Sequence, residues 1–83
     1  MQSMYYVYIL QSCTDGSFYT GMTDNLERRL HEHNLGTMKY TKSRCPWKLV
    51  YSEGMPERDK ARKREKYWKS GIGRKERETL LHA

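Results

Sequence analysis

The first hydrophobic run of the chain, MYYVYIL at residues 4–10, is apolar on both faces rather than strictly alternating. Tyrosine, valine and isoleucine favour strands, and a run without alternation is typical of a strand covered on both sides. A second tyrosine-containing run follows Asp15-Gly16, a dipeptide typical of two-residue hairpin turns. The pattern therefore predicts a central strand over residues 4–10 and an antiparallel partner after the turn.

The hairpin determines which side chains share a face. A two-residue turn at Asp15-Gly16 would put Ser12 opposite Tyr19, and side chains that lie opposite each other point to the same side of the ribbon. The turn therefore predicts that one face carries three phenol groups, one hydroxyl and one glycine: Tyr6, Tyr8, Tyr19, Ser12 and Gly21.

The spacing of apolar residues becomes helical after Asp24. Asp24 and Glu27 form the sequence pattern of a capping box, with Asp24 as the N-cap. Gly36 suits the position just after the last turn of the helix, where glycine is common. We therefore expect a first helix between Asp24 and Gly36.

This helix has a narrow apolar face. Leu26 and Leu30 define its buried stripe, and His33 lies between them in angle. Arg29 borders the stripe, so its side chain is expected to lean towards the sheet rather than into solvent.

The segment WKLVYSE at residues 47–53 alternates and predicts a third strand that ends at Gly54. Its alternation puts three large side chains on one face: Trp47, Leu49 and Tyr51.

A second helix is predicted from Pro56 to about Ser70, since proline suits the first turn of a helix. Its inner stripe consists of Ala61, Glu65 and Trp68, at spacings of four and three residues. An acidic residue therefore occupies a position on the one face that should be apolar.

Gly71 and Gly73 are expected to break the chain before a short final helix over residues 74–83, with Leu80 and Leu81 as its anchors. The order is strand, strand, helix, strand, helix, helix. This order predicts an α+β domain with a small, mainly antiparallel three-stranded sheet flanked by helices. With 83 residues, we expect one domain over residues 1–83.

The composition narrows the classes of function. A net charge of +6 favours an anionic partner such as DNA, RNA or acidic lipid, although a basic surface also serves solubility alone. No apolar run approaches the roughly 20 residues of a membrane span, and no signal-peptide pattern opens the chain. Cys13 and Cys45 form neither a disulfide framework nor a metal motif, so we expect reduced thiols in a cytoplasmic protein, with one intramolecular bridge as the alternative. The sequence gives no sign of an obligate protein partner.

Five side chains could carry chemistry, and each has a structural alternative. Tyr8 and Tyr19 could be packing residues, Arg29 a surface cation with a buried stem, and His33 a cation at a helix end. Glu65 could pair with neighbouring cations on its own helix. In combination they are hard to explain as a core, because burying such charges unpaired costs several kcal/mol.

Several short motifs occur in a fixed order along the chain. They are, from first to last, Tyr6-Val7-Tyr8, Tyr19-Thr20-Gly21, Arg29 eight residues after that glycine, Glu32-His33-Asn34, and the segments KYTKSR, KLVYSE and ARKREK, the last of which contains Glu65. In this order and spacing the chain resembles the GIY-YIG nuclease superfamily, and within it the small single-domain bacterial proteins. The resemblance extends from about residue 4 to residue 68.

The resemblance implies a metal-dependent nuclease that hydrolyses phosphodiester bonds, with DNA as the favoured substrate and DNA repair as the expected setting. Glu65 would hold Mg²⁺ or Mn²⁺, and Arg29 would bind the scissile phosphate. Tyr8 is favoured as general base over Tyr19, which would position the reactants, although the reverse assignment stays open. His33 would orient one tyrosine or contact phosphate.

The remaining implied roles are structural or concern binding. Tyr6 and Gly21 would shape the site, and five cations would contact the nucleic-acid backbone: Lys39, Lys42, Arg44, Arg62 and Lys69. Such contacts are salt-sensitive and indifferent to sequence. Two alternatives stay open, namely a nucleic-acid-binding module that keeps the scaffold without catalysis, and a protein-interaction domain with a basic helix.

Overall fold

The computed structural model describes residues 4–81. Its elements are, in chain order, β1 (Tyr5–Ser12), β2 (Phe18–Thr23), α1 (Leu26–Asn34), β3 (Trp47–Met55), α2 (Arg58–Lys69) and α3 (Gly71–Leu81), with one 3₁₀ turn over Lys42–Arg44. The predicted α+β class and the predicted order of strands and helices are confirmed.

The three strands form one antiparallel sheet in the order β2-β1-β3. In the middle of β1, the residues from Val7 to Leu10 are almost fully buried on both faces. This burial explains the run without alternation, and the predicted central strand is confirmed.

Each face of the sheet is covered by one helix. On one face, Val7 and Ile9 pack with Ala61 and Trp68 of α2. On the other face, Tyr8 packs in a cluster with Leu10 and Trp47, against which Leu26 and Leu30 of α1 also pack. The buried stripe predicted for the first helix is therefore confirmed, and Tyr8 belongs to the α1 side of the sheet.

The predicted two-residue turn is wrong. The strands β1 and β2 pair Tyr8 with Gly21 and Leu10 with Tyr19, so Ser12 does not lie opposite Tyr19. The pairing is shifted by two residues, which leaves every side chain on its predicted face because the side-chain period of a strand is two.

Ser12 accounts for the longer turn. Its backbone N–H donates to Ser17 O at 2.8 Å, and its carbonyl accepts from Gly16 N at 3.0 Å. Its side-chain Oγ accepts from Thr14 N at 3.1 Å and from Asp15 N at 3.3 Å. One serine thus satisfies four polar contacts across the turn, which a two-residue loop would not allow.

The N-cap of α1 is Asn25, so the prediction of Asp24 as N-cap is wrong. The Asn25 side chain accepts from Arg28 N at 3.0 Å, while the Asp24 carboxylate pairs with the Arg28 guanidinium at 3.0 Å. Both residue types cap helices well, so the local sequence did not distinguish them. Gly36 has a φ of 77° just after the helix, as predicted.

The strand β3 contains an irregularity that the alternation did not reveal. The register between β1 and β3 shifts at a bulge, so Leu49 lies opposite Leu10 whereas Tyr51 lies opposite Ile9. Tyr51 therefore faces α2, where its ring packs 5.4 Å from that of Trp68. The prediction that Trp47, Leu49 and Tyr51 share one face is wrong, and the strand continues through Gly54 to Met55.

The helix α2 starts two residues later than predicted, with Glu57 as its N-cap, so Pro56 precedes the helix. The predicted inner stripe is confirmed. Ala61 and Trp68 are fully buried, and the Glu65 side chain is only 12% exposed.

The helix α3 begins at Gly71, so the glycines do not separate it from α2 as predicted. Gly73 lies inside α3, where a Cβ atom would collide with the carbonyl oxygen of Tyr67. Glycine therefore allows α3 to pack tightly on the end of α2. Leu80 is 44% exposed and is wrong as an anchor, and the last two residues of the predicted helix, 82–83, lie outside the described residues.

Two expectations drawn from the composition concern membrane-spanning helices and the state of the two cysteines. None of the helices within residues 4–81 has both the length and the apolar character needed to cross a membrane. The thiols of Cys13 and Cys45 are free.

Candidate active site

Tyr8 occupies a position that only a glycine partner permits. It lies opposite Gly21 on the edge strand β2, and a Cβ atom on Gly21 would come within 2.6 Å of Tyr8 Cζ. Such an approach would force the ring or the strand to move. Gly21 therefore lets the Tyr8 ring extend from the central strand over the edge strand.

Tyr6 leans in the opposite direction. Its ring lies over Gly54 of β3, where a Cβ atom would come within 2.9 Å of Tyr6 Cε1. The two tyrosines thus share a face of β1, but Tyr6 packs above β3 while Tyr8 packs above β2.

A buried hydrogen-bonded chain starts at the Tyr8 hydroxyl. Tyr8 Oη lies 3.1 Å from Nε2 of His33, and Nδ1 of His33 lies 2.8 Å from Thr41 Oγ1. His33 and Thr41 are both fully buried. The Trp47 ring donates to Thr41 O at 3.0 Å, which fixes the loop that carries the threonine.

Sequence reasoning missed Thr41 as a member of the site. Its hydroxyl also lies 3.5 Å from the carbonyl of Met38. A hydroxyl that donates to this carbonyl accepts from Nδ1–H of His33, and Nε2 is then free to accept from Tyr8. The only sequence signal was the position of Thr41 inside the KYTKSR motif.

Tyr19 completes an aromatic cluster with the histidine. The ring centroids of Tyr19 and His33 are 5.0 Å apart, those of Tyr19 and Tyr8 6.4 Å apart, and those of Tyr19 and Trp47 6.3 Å apart. The structure thus brings both tyrosines and the histidine together on the α1 side of the sheet.

Arg29 lies on the same helix as His33, one turn earlier, with 30% of its side chain exposed. Its Nε is buried and has no hydrogen-bond partner among residues 4–81. Glu32 Oε1 lies 3.1 Å from this nitrogen but out of hydrogen-bonding alignment. The guanidinium is therefore held near the site by charge and keeps unused donors.

Glu65 approaches from the other side of the sheet. Its helix α2 packs on the face opposite to α1, and its carboxylate pairs with Arg62 Nη1 at 3.5 Å and with Lys69 Nζ at 3.0 Å. The helix also packs against the edge strand β2. Glu65 therefore lies on a helix that packs against the edge strand from the face opposite to Tyr8, an arrangement that the sequence did not predict.

The pKa of the Tyr8 hydroxyl responds to burial and to charged neighbours. Burial raises the pKa of the Tyr8 hydroxyl well above its usual value, and the nearby Tyr19 raises it further. The positive charge of Arg29 lowers the pKa, and the negative charge of Glu65 raises it. Both charges are thus close enough to act on the same hydroxyl.

Burial lowers the pKa of His33 from its ordinary value of 6.5, and the positive charge of Arg29 lowers it further, while Glu32 opposes both. The imidazole is therefore neutral at neutral pH. A neutral ring has one nitrogen free to accept a proton, as the contact with Tyr8 requires.

This buried histidine predicts a loss of stability in acid. Because the unfolded chain binds a proton near pH 6.5 and the folded chain does so only at lower pH, the free energy of unfolding should fall as pH drops below about 6.5. Urea unfolding between neutral and mildly acidic pH measures the slope. His33→Gln should flatten it, whereas exposed His31→Gln should not, and equal slopes in both variants would refute the role of His33.

The donors in the site suit a hard cation held by few protein ligands. Within residues 4–81 there is no group of three or more His, Cys, Asp or Glu side chains that could hold a metal ion. Glu65 offers one carboxylate, and Mg²⁺ accepts such a site because it keeps several waters and binds substrate phosphate oxygens. Arg62 and Lys69 would have to release at least one carboxylate oxygen for a metal to bind.

The predicted backbone-binding cations fall into two groups. Arg62 and Lys69 flank Glu65, while Lys39 and Lys42 are exposed on the loop after α1. Arg44 has structural partners, since it donates to Tyr40 O at 2.7 Å and to Ser17 Oγ at 3.2 Å. It therefore ties the loop to the hairpin.

The chain has the fold of a nuclease-type catalytic domain. Residues 4–78 match the family described as "GIY-YIG catalytic domain". The match spans most of the chain, and the chain therefore belongs to the GIY-YIG family. GIY-YIG domains are nuclease domains that generally use divalent metals, and their substrates are nucleic acids.

The similar proteins carry the name UPF0213. The chain is 52% identical to UPF0213 protein CPE1444 of Clostridium perfringens over 67 residues, which is 80% of this chain and 71% of that protein. It is 43% identical to UPF0213 protein NP_0776A of Natronomonas pharaonis over 82 residues, 98% of this chain and 94% of that one.

A solved structure has the same fold. The solution NMR structure of UPF0213 protein BH0048 from Bacillus halodurans superposes with a TM-score of 0.57 at 39% identity. The alignment covers 95% of this chain and 83% of that protein.

Proposed function

We propose that this protein is a metal-dependent nuclease that hydrolyses phosphodiester bonds in DNA. The observation that carries the proposal is the environment of the Tyr8 hydroxyl. It lies 3.1 Å from buried His33 and is subject to the charges of both Arg29 and Glu65. A proton acceptor, a cation for phosphate and a carboxylate for a metal are the groups that phosphodiester hydrolysis needs.

Tyr8 and His33 act together as the base. Since burial raises the pKa of Tyr8, the phenol is neutral at neutral pH. It accepts a proton from the attacking water only if it releases its own in the same step. The water proton moves to Tyr8 Oη, the phenol proton moves to Nε2 of His33, and the histidine becomes an imidazolium.

Thr41 fixes the histidine for this transfer. With its hydroxyl accepting from Nδ1–H, the lone pair of Nε2 points to Tyr8, 3.1 Å away. The same contact holds the ring in place when it becomes charged.

Arg29 binds the scissile phosphate. Its planar guanidinium presents parallel N–H groups that match two phosphate oxygens, and it already leaves a buried donor unused. Tyr19, packed on His33, positions the water or the phosphate with its hydroxyl. The reverse assignment, with Tyr19 as the proton acceptor, is less favoured, because among residues 4–81 the Tyr19 hydroxyl has no hydrogen bond to a base like that of Tyr8 with His33.

Glu65 would hold Mg²⁺ or Mn²⁺, which when bound neutralises charge on the phosphate and on the departing oxygen. Arg62 and Lys69 keep the carboxylate in place until the metal and substrate arrive. Both cations are then free to bind neighbouring phosphates.

The substrate is recognised by its backbone and shape. The basic side chains around Glu65 suit phosphate contacts, which carry no sequence information. We therefore propose a structure-directed nuclease that acts in the cytoplasm, in DNA repair, without an obligate protein partner.

A non-catalytic nucleic-acid-binding module is the second candidate. The observation that favours it is that both oxygens of Glu65 are paired with cations, Oε1 with Arg62 and Oε2 with Lys69. If these ion pairs persisted with metal and DNA present, the scaffold would bind a nucleic acid without cutting it.

A substrate panel separates these candidates. The panel consists of labelled branched, flapped, nicked and single-stranded DNA. We expect the protein to cut at least one of these forms in the presence of Mn²⁺ and to leave it intact in EDTA. Salt-dependent binding to the panel without any cleavage would support the non-catalytic module. Weak binding to every DNA and RNA form would favour a protein-interaction domain instead.

A further inference from the structure

A basic cavity of about 210 Å³ lies beside the candidate active site, where β2 meets the ends of α2 and α3. The side chains that line this cavity come from three elements and include six that carry the argument for a ligand. They are Phe18, Tyr19 and Thr20 of β2, Lys69 of α2, and Arg74 and Arg77 of α3. Three of these side chains are cationic, and no carboxylate lines the cavity.

Arg77 is held in the cavity by a cation–π contact. Its guanidinium stacks on the Phe18 ring with the centroid 4.3 Å from Cζ. Its Nε is buried and has no hydrogen-bond partner within the part of the chain that the structure describes. A buried donor without a partner is costly, so the position is one that a bound acceptor would stabilise.

A second cation, Arg74, makes the buried position of the Arg77 guanidinium still less favourable. Arg74 lies close enough to Arg77 that its charge, after the larger effect of burial, lowers the pKa of Arg77, while Glu78 opposes both. Two like charges around one cavity, neither of them in an ion pair within residues 4–81, are arranged to receive an anion.

The cavity adjoins the site along the edge strand. Lys69 lines it and also binds Glu65 Oε2 at 3.0 Å, and Tyr19 both lines it and packs on His33. From Tyr19 to Gly21 the strand rises about 7 Å. Beyond Gly21, a second cavity of about 360 Å³ is lined by Arg29 and Arg58, and also by Arg28 with its ion-pair partner Asp24. Cationic pockets therefore lie on both sides of Gly21.

We propose that the cavity formed by Lys69, Arg74 and Arg77 is a subsite for a second backbone phosphate of the nucleic-acid strand whose scissile phosphate lies at Arg29. This subsite rests on the proposed function, because it assumes that the scissile phosphate binds at Arg29. Arginine forks bind phosphate through paired N–H groups, and the strand runs along the free edge of β2. The subsite sets the register of the strand without reading its bases.

Binding of single-stranded DNA in EDTA tests the subsite without any cleavage. We expect the double variant R74Q/R77Q to bind a fluorescein-labelled oligonucleotide about tenfold more weakly by anisotropy. The slope of log K against log salt should fall by about 1. R74K/R77K keeps the charge and should retain most of this slope.

The matched control removes the same charge from exposed positions on the same two helices that do not line the cavity, Lys66 and Lys75. K66Q/K75Q should change affinity less than R74Q/R77Q at every salt concentration. Equal effects of the two double variants would overturn the subsite, because they would indicate a diffuse charge effect only. Circular dichroism and thermal unfolding show that each variant is folded.

Two further readouts separate this subsite from its alternatives. With a cleaved substrate, R74Q/R77Q should raise KM and leave kcat unchanged, whereas a loss of kcat alone would contradict a binding subsite. Displacement of the oligonucleotide by micromolar inorganic phosphate at constant ionic strength would indicate a small-anion site and overturn the proposal. If the Glu65 variant described below cut normally, the proposed function would fail while the EDTA binding result would stand.

Discussion

Replacing Glu65 with glutamine should abolish metal-dependent cleavage, with a loss of about 10³-fold or more in the single-turnover rate. Glutamine keeps the size of the side chain but removes the charge that a divalent cation needs. Binding of DNA in EDTA should stay the same or tighten. The reason is that Arg62 and Lys69, which now pair with the Glu65 carboxylate, become available to phosphate.

The measurement compares wild type and Glu65→Gln on the most rapidly cut DNA of the panel, at saturating protein with Mn²⁺. Glu57→Gln is the matched control, since Glu57 is exposed and makes no side-chain cap bond at the start of the same helix. It should cleave as wild type does. Cleavage by Glu65→Gln at the wild-type rate would show that the metal is bound elsewhere.

Replacing Tyr8 with phenylalanine should lower the cleavage rate by about 10²–10⁴-fold. The variant keeps the ring over Gly21 and removes only the hydroxyl that passes a proton to His33 at 3.1 Å. It also leaves Nε2 of His33 without its buried partner, so the free energy of unfolding should fall by about 1–3 kcal/mol. DNA binding should be retained.

Two companion variants assign the roles. Tyr6→Phe removes a hydroxyl from the same face of β1, above β3 rather than β2, and should leave the cleavage rate unchanged. Tyr19→Phe should slow cleavage less than Tyr8→Phe does. If Tyr19→Phe abolished cleavage and Tyr8→Phe did not, Tyr19 would be the proton acceptor and the relay through His33 would be wrong.

Much of the fold followed from periodicity. The non-alternating run of β1 predicted a strand covered on both faces, and Val7 to Leu10 are buried on both. The shared face of Tyr8, Tyr19 and Gly21 survived the wrong turn, because the true register differs by two residues and strands repeat every two. The inward position of Glu65 followed from its spacing to Ala61 and Trp68.

The errors arose where local sequence offers near-equal choices. Asp24 and Asn25 cap helices equally well, and the Thr23 hydroxyl, which accepts from Asn25 N at 3.1 Å, helps to set the helix start. The β3 bulge depends on how two strands accommodate α1 and α2 at once, which no single segment encodes. The partners of His33 depend on a loop that returns Thr41 from eight residues away.

The sequence also did not predict where Glu65 lies relative to the sheet. Helical spacing indicated that the residue faces inward, but not that α2 covers the face opposite to α1. The approach of α2 to the strand that carries Gly21 depends on the edge position of β2 in the sheet. Strand order is a tertiary property that the strand patterns alone did not fix.

A crystal structure of the protein grown with Mn²⁺, with an anomalous difference map collected at the manganese edge, tests the central claim most directly. We expect a single strong peak bound by the Glu65 carboxylate, on the side of Tyr8 and Arg29, with at least one of Arg62 and Lys69 released. A map with manganese bound elsewhere, or with Glu65 still paired to both cations at saturating Mn²⁺, would contradict it.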